Sequence, residues 1–464
     1  MSSCPKLVIW GLLMMLPLWI NSQNKAPLAL SGAETQVALV VDLSNGDTLY
    51  RYHEGQRITP ASLTKLFTTV AALDVLGSQY QYQTLVFIDA DNQRLVVRGG
   101  GDPTLGSSFF EAHSSERLIG LIVDCLASRR ITALPKGVVI DLSYFGNVRP
   151  PSQRLWEDLG NYFGALPSSL TVGDNTFRLF LDSPVNVGEL CTISRMTPQW
   201  GAFPQSLVVA SRGQSDSAYI YGVAGCDRWY VSGSIPAGRT GFMIKGAMPE
   251  PHRCFGELLL AALNKSGIAV EHVSYSFEPV SVSGQPIVSF SSPSLKQICN
   301  VVNKQSNNLY ADHLFLSLGK VTGQPGWDGG VQMMNRYCRK HLSQRPLSIY
   351  DGSGLSPFNS FSAADMVTLL RHAVQRPFFD DFYQSLAVSG VDGTIRNLWR
   401  DHSSFGRVRA KSGTMNGVLG YAGYITTDDH RMLAFCIVVN HAADGNSKVR
   451  LAIEQWVRGF LNPR

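Results

Sequence analysis

This sequence is short of charge. Asp, Glu, Lys and Arg make up only 16% of its 464 residues, against an ordinary ~25%. With 44% hydrophobic residues, that excludes a disordered chain, a long coiled coil and a nucleic-acid-binding arm. Long apolar runs are missing too: Leu7 to Ile20 falls short of the ~20 residues a membrane span needs. No C-x-x-C or His-Cys run has zinc spacing, and eight cysteines are too dilute for a disulfide scaffold. No G-x-S-x-G elbow occurs, which argues against a Ser-His-Asp hydrolase of that kind. Gly99 to Gly101 form no phosphate loop, since no Gly-Lys-[Ser/Thr] follows. There is no internal repeat and no low-complexity tract.

The 43 glycines and 23 prolines point to a turn-rich, strand-rich protein. Forty Lys+Arg against 35 Asp+Glu give +5, a mild basic excess compatible with anionic polymers but too small to name a partner. Lys6, the apolar run and a small residue near Ser22 read as a secretory signal over 1–22, with an uncleaved anchor as the alternative. Without Cys4 an odd number of cysteines remains, so at least one stays free or pairs between chains. Cys191 and Cys226 lie in one mid-chain region and could pair; burial accounts for the rest.

Residues 36–52 read as a hairpin turning at Asn45-Gly46. A helix follows, with Thr59 as N-cap, Pro60 in its first position and Gly77 as its stop. Its apolar residues cover most of the circumference, so it is buried on most sides. From about 85 to 285 short strand-like runs alternate with turns, and helices are few beyond 116–127 and 255–265. After Ser289 to Ser294 the helices return, with one helical stretch from Leu295 to Leu318. Two strands, 417–426 and 431–440, and a helix over 448–461 end the chain. This order predicts one domain, 23–80 with 290–464, interrupted by a large, mostly β insertion. The insertion divides into one subdomain of 81–172 with 262–289 and a second of 173–261.

Ser62-Leu63-Thr64-Lys65 sets a hydroxyl and an amine on one face of a buried helix start. The Ser62 N–H points out of the helix end, where a developing oxyanion is favoured. A lysine kept neutral by burial or a nearby cation can take the serine proton. The same spacing recurs at Ser3, Ser22 and Ser317, in the signal, at its exit and at a helix end, so context singles out Ser62. Ser306-Asn307-Asn308 interrupts the apolar face of the 295–318 helix. Lys411-Ser412-Gly413-Thr414 lies beside the C-terminal strand pair, where an extended backbone can receive a peptide-like substrate as an added strand. A lysine there can hold a carboxylate and depress a neighbouring lysine's pKa. The decoy Lys265-Ser266-Gly267 is a helix ending in a capping glycine.

In that order the three motifs resemble those of the active-site serine penicillin-binding proteins and serine β-lactamases: S-x-x-K, S-x-N and K-[ST]-G. The long Ser62–Ser306 interval, Gly99-Gly-Gly-Asp-Pro-Thr-Leu105 and Asp351-Gly-Ser-Gly-Leu-Ser356 resemble the class C low-molecular-mass penicillin-binding proteins, a D-alanyl-D-alanine carboxypeptidase/endopeptidase family. The resemblance implies an α+β fold, a serine β-lactamase/transpeptidase-like domain whose antiparallel sheet is flanked by helices. It implies an exported, periplasmic enzyme acting on peptidoglycan stem peptides, acylated by β-lactam antibiotics and needing no metal or cofactor.

By the same resemblance Ser62 is the nucleophile, Lys65 its base, and Ser306 the relay to the leaving nitrogen. Asn308 binds substrate backbone, Lys411 and Ser412 grip the terminal carboxylate, and the Ser62 and Thr414 N–H groups form the oxyanion hole beside Gly413. Asp158 and Asn416 resemble positions that hold a diaminopimelate side chain, with a turn role for Asp158 as the alternative. An Arg that relatives can carry after the D-G-S-G-L-S run is Pro357 here, which leaves the carboxylate clamp weaker or supplied elsewhere. Asp102 and Asp351 read as turn residues. A β-lactamase lacks this insertion, and a non-catalytic wall-binding protein would be expected to have lost Ser62, Lys65 or Lys411. Oligomeric state and peripheral membrane contact are left open, and nucleic acid is not expected as a partner.

Overall fold

The computed structural model describes residues 27–89, 93–223, 225–226, 228–342, 346–442 and 445–461. The signal read over 1–22 lies outside them. The chain opens with β1 (Thr35–Asp42) and β2 (Thr48–Tyr52), joined by a turn in which Gly46 has φ 81°. A short strand β3 (Arg57–Ile58) leads to a tight 3₁₀ turn, Ala61–Leu63, and then α1 (Thr64–Leu76). Thr59 does not cap this helix; its hydroxyl donates to Pro357 O at 3.2 Å. Gly77 stops it, at φ 87°. Residues 64 to 73 are buried all round, so α1 is a central helix held by packing rather than by propensity.

The middle of the chain builds other sheets. β4 (Gln83–Asp89), β5 (Arg94–Arg98), α2 (Ser115–Ser128), β6 (Val138–Asp141) and the single turn α3 (Trp156–Leu159) come first. Then follow β7 (Thr176–Asp182), β8 (Thr192–Thr197), β9 (Gln205–Ser211), β10 (Tyr219–Tyr221), β11 (Tyr230–Pro236) and β12 (Phe242–Ala247). α4 (Pro251–Lys265), β13 (Val273–Ser276) and β14 (Val288–Ser291) close the segment. The five-stranded sheet runs β13-β6-β5-β4-β14, and two three-stranded sheets run β12-β7-β8 and β10-β11-β9. Phe177, Leu179, Leu181, Met196 and Ile244 from one small sheet meet Val208, Ile220, Val231 and Ile235 from the other in a shared core. Cys191 and Cys226 are both free thiols, so the pair that their shared region allowed does not form. Cys191 is buried in that core, whereas Cys226 is only half-buried, its thiol donating to Arg228 O.

Helices α5 (Leu295–Gln305), α6 (Asn308–Val321), α7 (Gly326–His341), α8 (Ala363–Val374) and α9 (Phe379–Ser385) follow, with β15 (Phe361–Ser362) between α7 and α8. The chain ends with β16 (Ala387–Val388), β17 (Val408–Met415), β18 (Val418–Thr426), β19 (Met432–Asn440) and α10 (Asn446–Arg458). The large antiparallel sheet is ordered β16-β17-β18-β19-β1-β2. It takes both chain ends and no strand from 81–289. β1 shows the period-2 rule: Val37, Leu39 and Val41 face the core around α1, while Ala38 and Val40 face a second core that includes Val449, Ile453 and Val457 of α10. Burial on both faces explains why β1, β18 and β19 read as nearly continuous apolar runs.

The sequence predicted one helix from 295 to 318, and the structure breaks it. Ser306 adopts the left-handed region at φ 58°, and Asn307 restarts the chain by accepting a hydrogen bond from Tyr310 N at 3.0 Å. Asn at an N-cap satisfies a backbone donor that the new helix leaves free. The polar tripeptide is therefore a joint between two helices, not an exposed stripe on one.

Candidate active site

Ser62 lies in a strained turn. Ala61 before it has φ 49°, costly for a residue with a Cβ and maintained only by its surroundings. Those surroundings press closely. A Cβ on Gly354 would fall 2.0 Å from Ala61 O, and one on Gly413 2.5 Å from Pro60 O. The end of β19 adds an anchor, the Asn440 amide bonding Thr59 N and O at 2.9 and 3.0 Å. Glycine in the third motif is thus required by approach: strand β17 lies directly against the turn that carries the serine.

One turn on, Lys65 is fully buried. Its Nζ is 2.9 Å from Ser62 Oγ, 2.6 Å from Asn308 Oδ1 and 2.6 Å from Ser353 O. Burial lowers its pKa to about 7; Asp312 and Asp351 oppose that shift and Arg154 adds to it. Valence then decides the hydrogen bonding. A neutral amine has two N–H donors and one lone pair. The two carbonyl oxygens accept the donors, and the lone pair is left facing the Ser62 hydroxyl.

Lys411, also fully buried, donates from Nζ to Ser306 Oγ at 2.8 Å and Ser412 O at 2.7 Å. Burial, and after it the charge of Lys65, push its pKa well below the ordinary lysine value. The sequence expected Lys411 to depress Lys65. Arg154 also lowers Lys65, and the mutual repulsion of the two lysines lowers Lys411. Asn308 is held by a second bond, Nδ2 to Phe163 O at 2.9 Å. Ser412 Oγ pairs with Thr394 Oγ1 at 2.8 Å.

Beneath Lys65 lies a buried cluster that the sequence did not reveal. Arg154 forms ion pairs with Asp312 and, at 3.4 Å, with Asp351. Asp312 accepts from the N–H groups of Gly352 and Ser353, both at 3.0 Å. Asp351 accepts from Gly354 N, Ser356 N and Asn359 Nδ2, each at 2.8 Å. Together they fix the Asp351–Ser356 loop so that Ser353 O meets Lys65, and Asp351 orders its turn as expected. Asp312 stands one helical turn after Asn308, so i,i+4 spacing was a usable signal for it. Arg154 has none. Asp102 is likewise a turn residue, accepting from Thr104 N at 2.8 Å and facing His113 Nε2 at 2.7 Å.

Ser62, Ser306, Asn308, Thr414, Asn416 and Asp158 all line one groove of about 620 Å³. Lys411 and Gly413 lie buried behind it on β17. Asp158 is buried, and burial with the nearby Glu157 charge raises its pKa to about 6, against a lowering by Arg154. Asp174, Thr176 and Lys245 come from the middle of the chain to line the same groove. Among the described residues no cluster of His, Cys, Asp and Glu could hold a metal ion.

A family model described as the D-Ala-D-Ala carboxypeptidase 3 (S13) family matches residues 23–459. The chain belongs to that family. Its reaction class is therefore that of a serine-type D-Ala-D-Ala carboxypeptidase/endopeptidase. A D-alanyl-D-alanine carboxypeptidase from Actinomadura sp. (strain R39) is 30% identical over 89% of this chain and 78% of the relative. The D-alanyl-D-alanine carboxypeptidase DacB of Haemophilus influenzae is 24% identical over 91% and 89%. The crystal structure of penicillin binding protein 4 from that organism superposes with TM-score 0.78 at 24% identity, covering 93% of this chain and 96% of the other. At that identity the likeness speaks for the α+β penicillin-binding fold, and the family model speaks for the chemistry.

Proposed function

We propose that Ser62 is the nucleophile of this S13 enzyme and that it attacks the penultimate D-Ala carbonyl of a peptidoglycan stem peptide. The observation that carries the reading is the Lys65 amine. It is buried, titrates near neutrality and has two carbonyl acceptors that orient its lone pair toward Ser62 Oγ. Lys65 takes the Ser62 proton as the new C–O bond forms. The Ser62 and Thr414 N–H groups hold the oxyanion, where fixed donors stabilise charge that develops only in the transition state. Ser306, bonded to Lys411, passes a proton to the leaving D-amino acid nitrogen, and water then hydrolyses the acyl-enzyme. Lys411 and Ser412 hold the terminal carboxylate, and Asn308 bonds the substrate backbone.

Asp158 and Asn416 take the substrate's side chain. Among the described residues the Asp158 carboxylate has no hydrogen-bond donor, which favours a waiting ligand group over a turn or cap. β-Lactams acylate the same serine; a penicillin binding protein 4 structure complexed with a β-lactam shares this fold, with TM-score 0.75. The domain division we propose is the one read from sequence, except that α4 (Pro251–Lys265) goes whole with the first subdomain, since Phe255, Leu259 and Leu263 pack into the core of the five-stranded sheet. It is supported by the five-stranded sheet drawing on 83–141 and 273–291 and the two small sheets on 176–247. Export to the cell envelope is proposed from the N-terminal signal pattern and the cell-wall chemistry. No helix among the described residues is long and apolar enough to cross a membrane.

Labelled penicillin tests the mechanism. It should attach at Ser62 in the native protein, read by peptide mass, and Ser62→Ala should abolish labelling. Labelling that persists in the mutant would overturn the assignment.

A further inference from the structure

The β8–β7–β12 sheet uses one face for the core it shares with β9–β11 and leaves the other uncovered. Strand alternation sorts the residues. Phe177, Leu179, Leu181, Met196 and Ile244 point inward, while Arg178, Arg195 and Lys245 are exposed. Lys245 pairs directly with Arg178, and Phe180 with both Met243 and Arg195. Like charges placed opposite each other on one face cost stability; at the groove end the Asp174 charge acts on Lys245 and offsets part of that cost. None of the three cations makes a salt bridge among the described residues. Arg195 lies 3.8 Å over the Phe180 ring, which leaves its charge available. The one carboxylate on these strands' outer face, Asp182, sits at the far end, with Oδ1 accepting from Gly241 N at 2.6 Å.

This basic face is continuous with the active-site groove. Lys245 and Thr176, at its near end, are groove-lining residues. A substrate anchored at Ser62 and leaving the groove on that side meets Arg178 next and then Arg195.

We propose that this face is a docking track for the carboxylate-bearing peptides of polymeric peptidoglycan, engaging stems beyond the one being cleaved. The inference rests on the proposed function and deepens it: the inserted sheet selects polymer over free peptide. Charge complementarity and continuity with the groove carry it. Because the cations are exposed, attraction should be screened by salt and should act on binding more than on chemistry.

The test uses the full-length double variant Arg178→Gln/Arg195→Gln, which leaves every groove residue in place. Penicillin acylation of Ser62 and hydrolysis of a short peptide ending in D-Ala-D-Ala should match wild type. Co-sedimentation with insoluble peptidoglycan should weaken about three- to tenfold, as expected for two exposed charges, with a rise in KM and not a fall in kcat on that polymer. The wild type should lose binding in high salt, and on peptidoglycan whose carboxylates have been amidated. Unchanged polymer binding by the variant would overturn the track, as would a loss confined to phosphatidylglycerol vesicles. Failure of the wild type itself to be acylated at Ser62 would instead overturn the proposed function.

Discussion

Lys65, Lys411 and Arg154 at the active site are buried and each has named partners, whereas Arg178, Arg195 and Lys245 on the β8–β7–β12 sheet stand in solvent without an ion pair among the described residues. The contrast separates two uses of the same charge. Removed from water, an amine becomes chemically adjustable: burial holds Lys65 at about 7 and Lys411 well below an ordinary lysine. Left in water, a cation keeps its charge and can act only as a screened attraction of limited strength. Under the roles proposed for them, reaction chemistry belongs to the first group and recruitment to the second.

The largest effect should come from removing the buried Lys411 amine that the proposed mechanism pairs with the substrate carboxylate. Losing one partner of a buried charge pair costs ~2–5 kcal/mol, and each ~1.4 kcal/mol is a factor of ten. Lys411→Ala should therefore lose roughly two orders of magnitude or more in kcat/KM on peptides with a free C-terminal carboxylate. A substrate amidated at that end should be slow already and lose much less. Lys65 is lowered chiefly by burial, and it protonates as pH falls through about 7. Acylation should accordingly rise with pH through that value in the wild type. Equal losses on both substrates, or a large shift of the midpoint, would show that Lys411 works through Lys65 and not on the carboxylate.

A smaller but still severe effect should follow from Gly413→Ala. The added Cβ would stand 2.5 Å from Pro60 O and 3.0 Å from Leu63 Cγ, so strand and serine turn must separate. Overpacking of this kind costs ~1–3 kcal/mol of stability, and a displacement of about 1 Å can cost ~100-fold in rate. Penicillin acylation should slow by about ten- to a hundredfold while the protein stays folded by circular dichroism. Native acylation rates would refute the close-approach account of that glycine.

How far the sequence exposed this site depends on the distance over which its parts are coupled. Ser62 and Lys65 were legible because three residues on a helix start are a local arrangement. Ser306, Asn308 and Lys411 were legible through the resemblance, while their local structure was misread. Three polar residues carry no period that marks a break, and the left-handed Ser306 follows from packing between α5 and α6. Thr59-Pro60 looked like a helix start, yet contacts with Pro357 and Asn440, hundreds of residues away in sequence, set that turn. The Arg154–Asp312–Asp351 cluster could not be read as a unit because its members lie far apart in the chain: Asp351 stood out as a turn residue, Asp312 by its spacing from Asn308, and Arg154 by nothing. The hairpin, the central helix and the last two strands were read closely, since alternation and apolar continuity record burial directly. The basic sheet face escaped notice because Arg178, Arg195 and Lys245 become neighbours only once the strand register is known.

The finest test concerns Asp158, which lies between the two groups: buried like Lys65 and Lys411, but facing the groove without a hydrogen-bond donor among the described residues. Burial and Glu157 raise its pKa from 3.8 to about 6 in the folded state. Between those values the unfolded carboxyl has lost its proton while the folded one keeps it, so folding stability falls as pH rises through the window. Above about pH 6 the full penalty is present, at most about 3 kcal/mol and less with solvent screening. Asparagine does not titrate. Asp158→Asn should therefore match wild type in thermal stability near pH 4 and exceed it above pH 6. If the carboxylate were a cap or turn acceptor, the same substitution would lose stability at neutral pH. A stability gain paired with weaker binding of stem peptides bearing a side-chain ammonium would identify Asp158 as a charge kept unpaired for substrate.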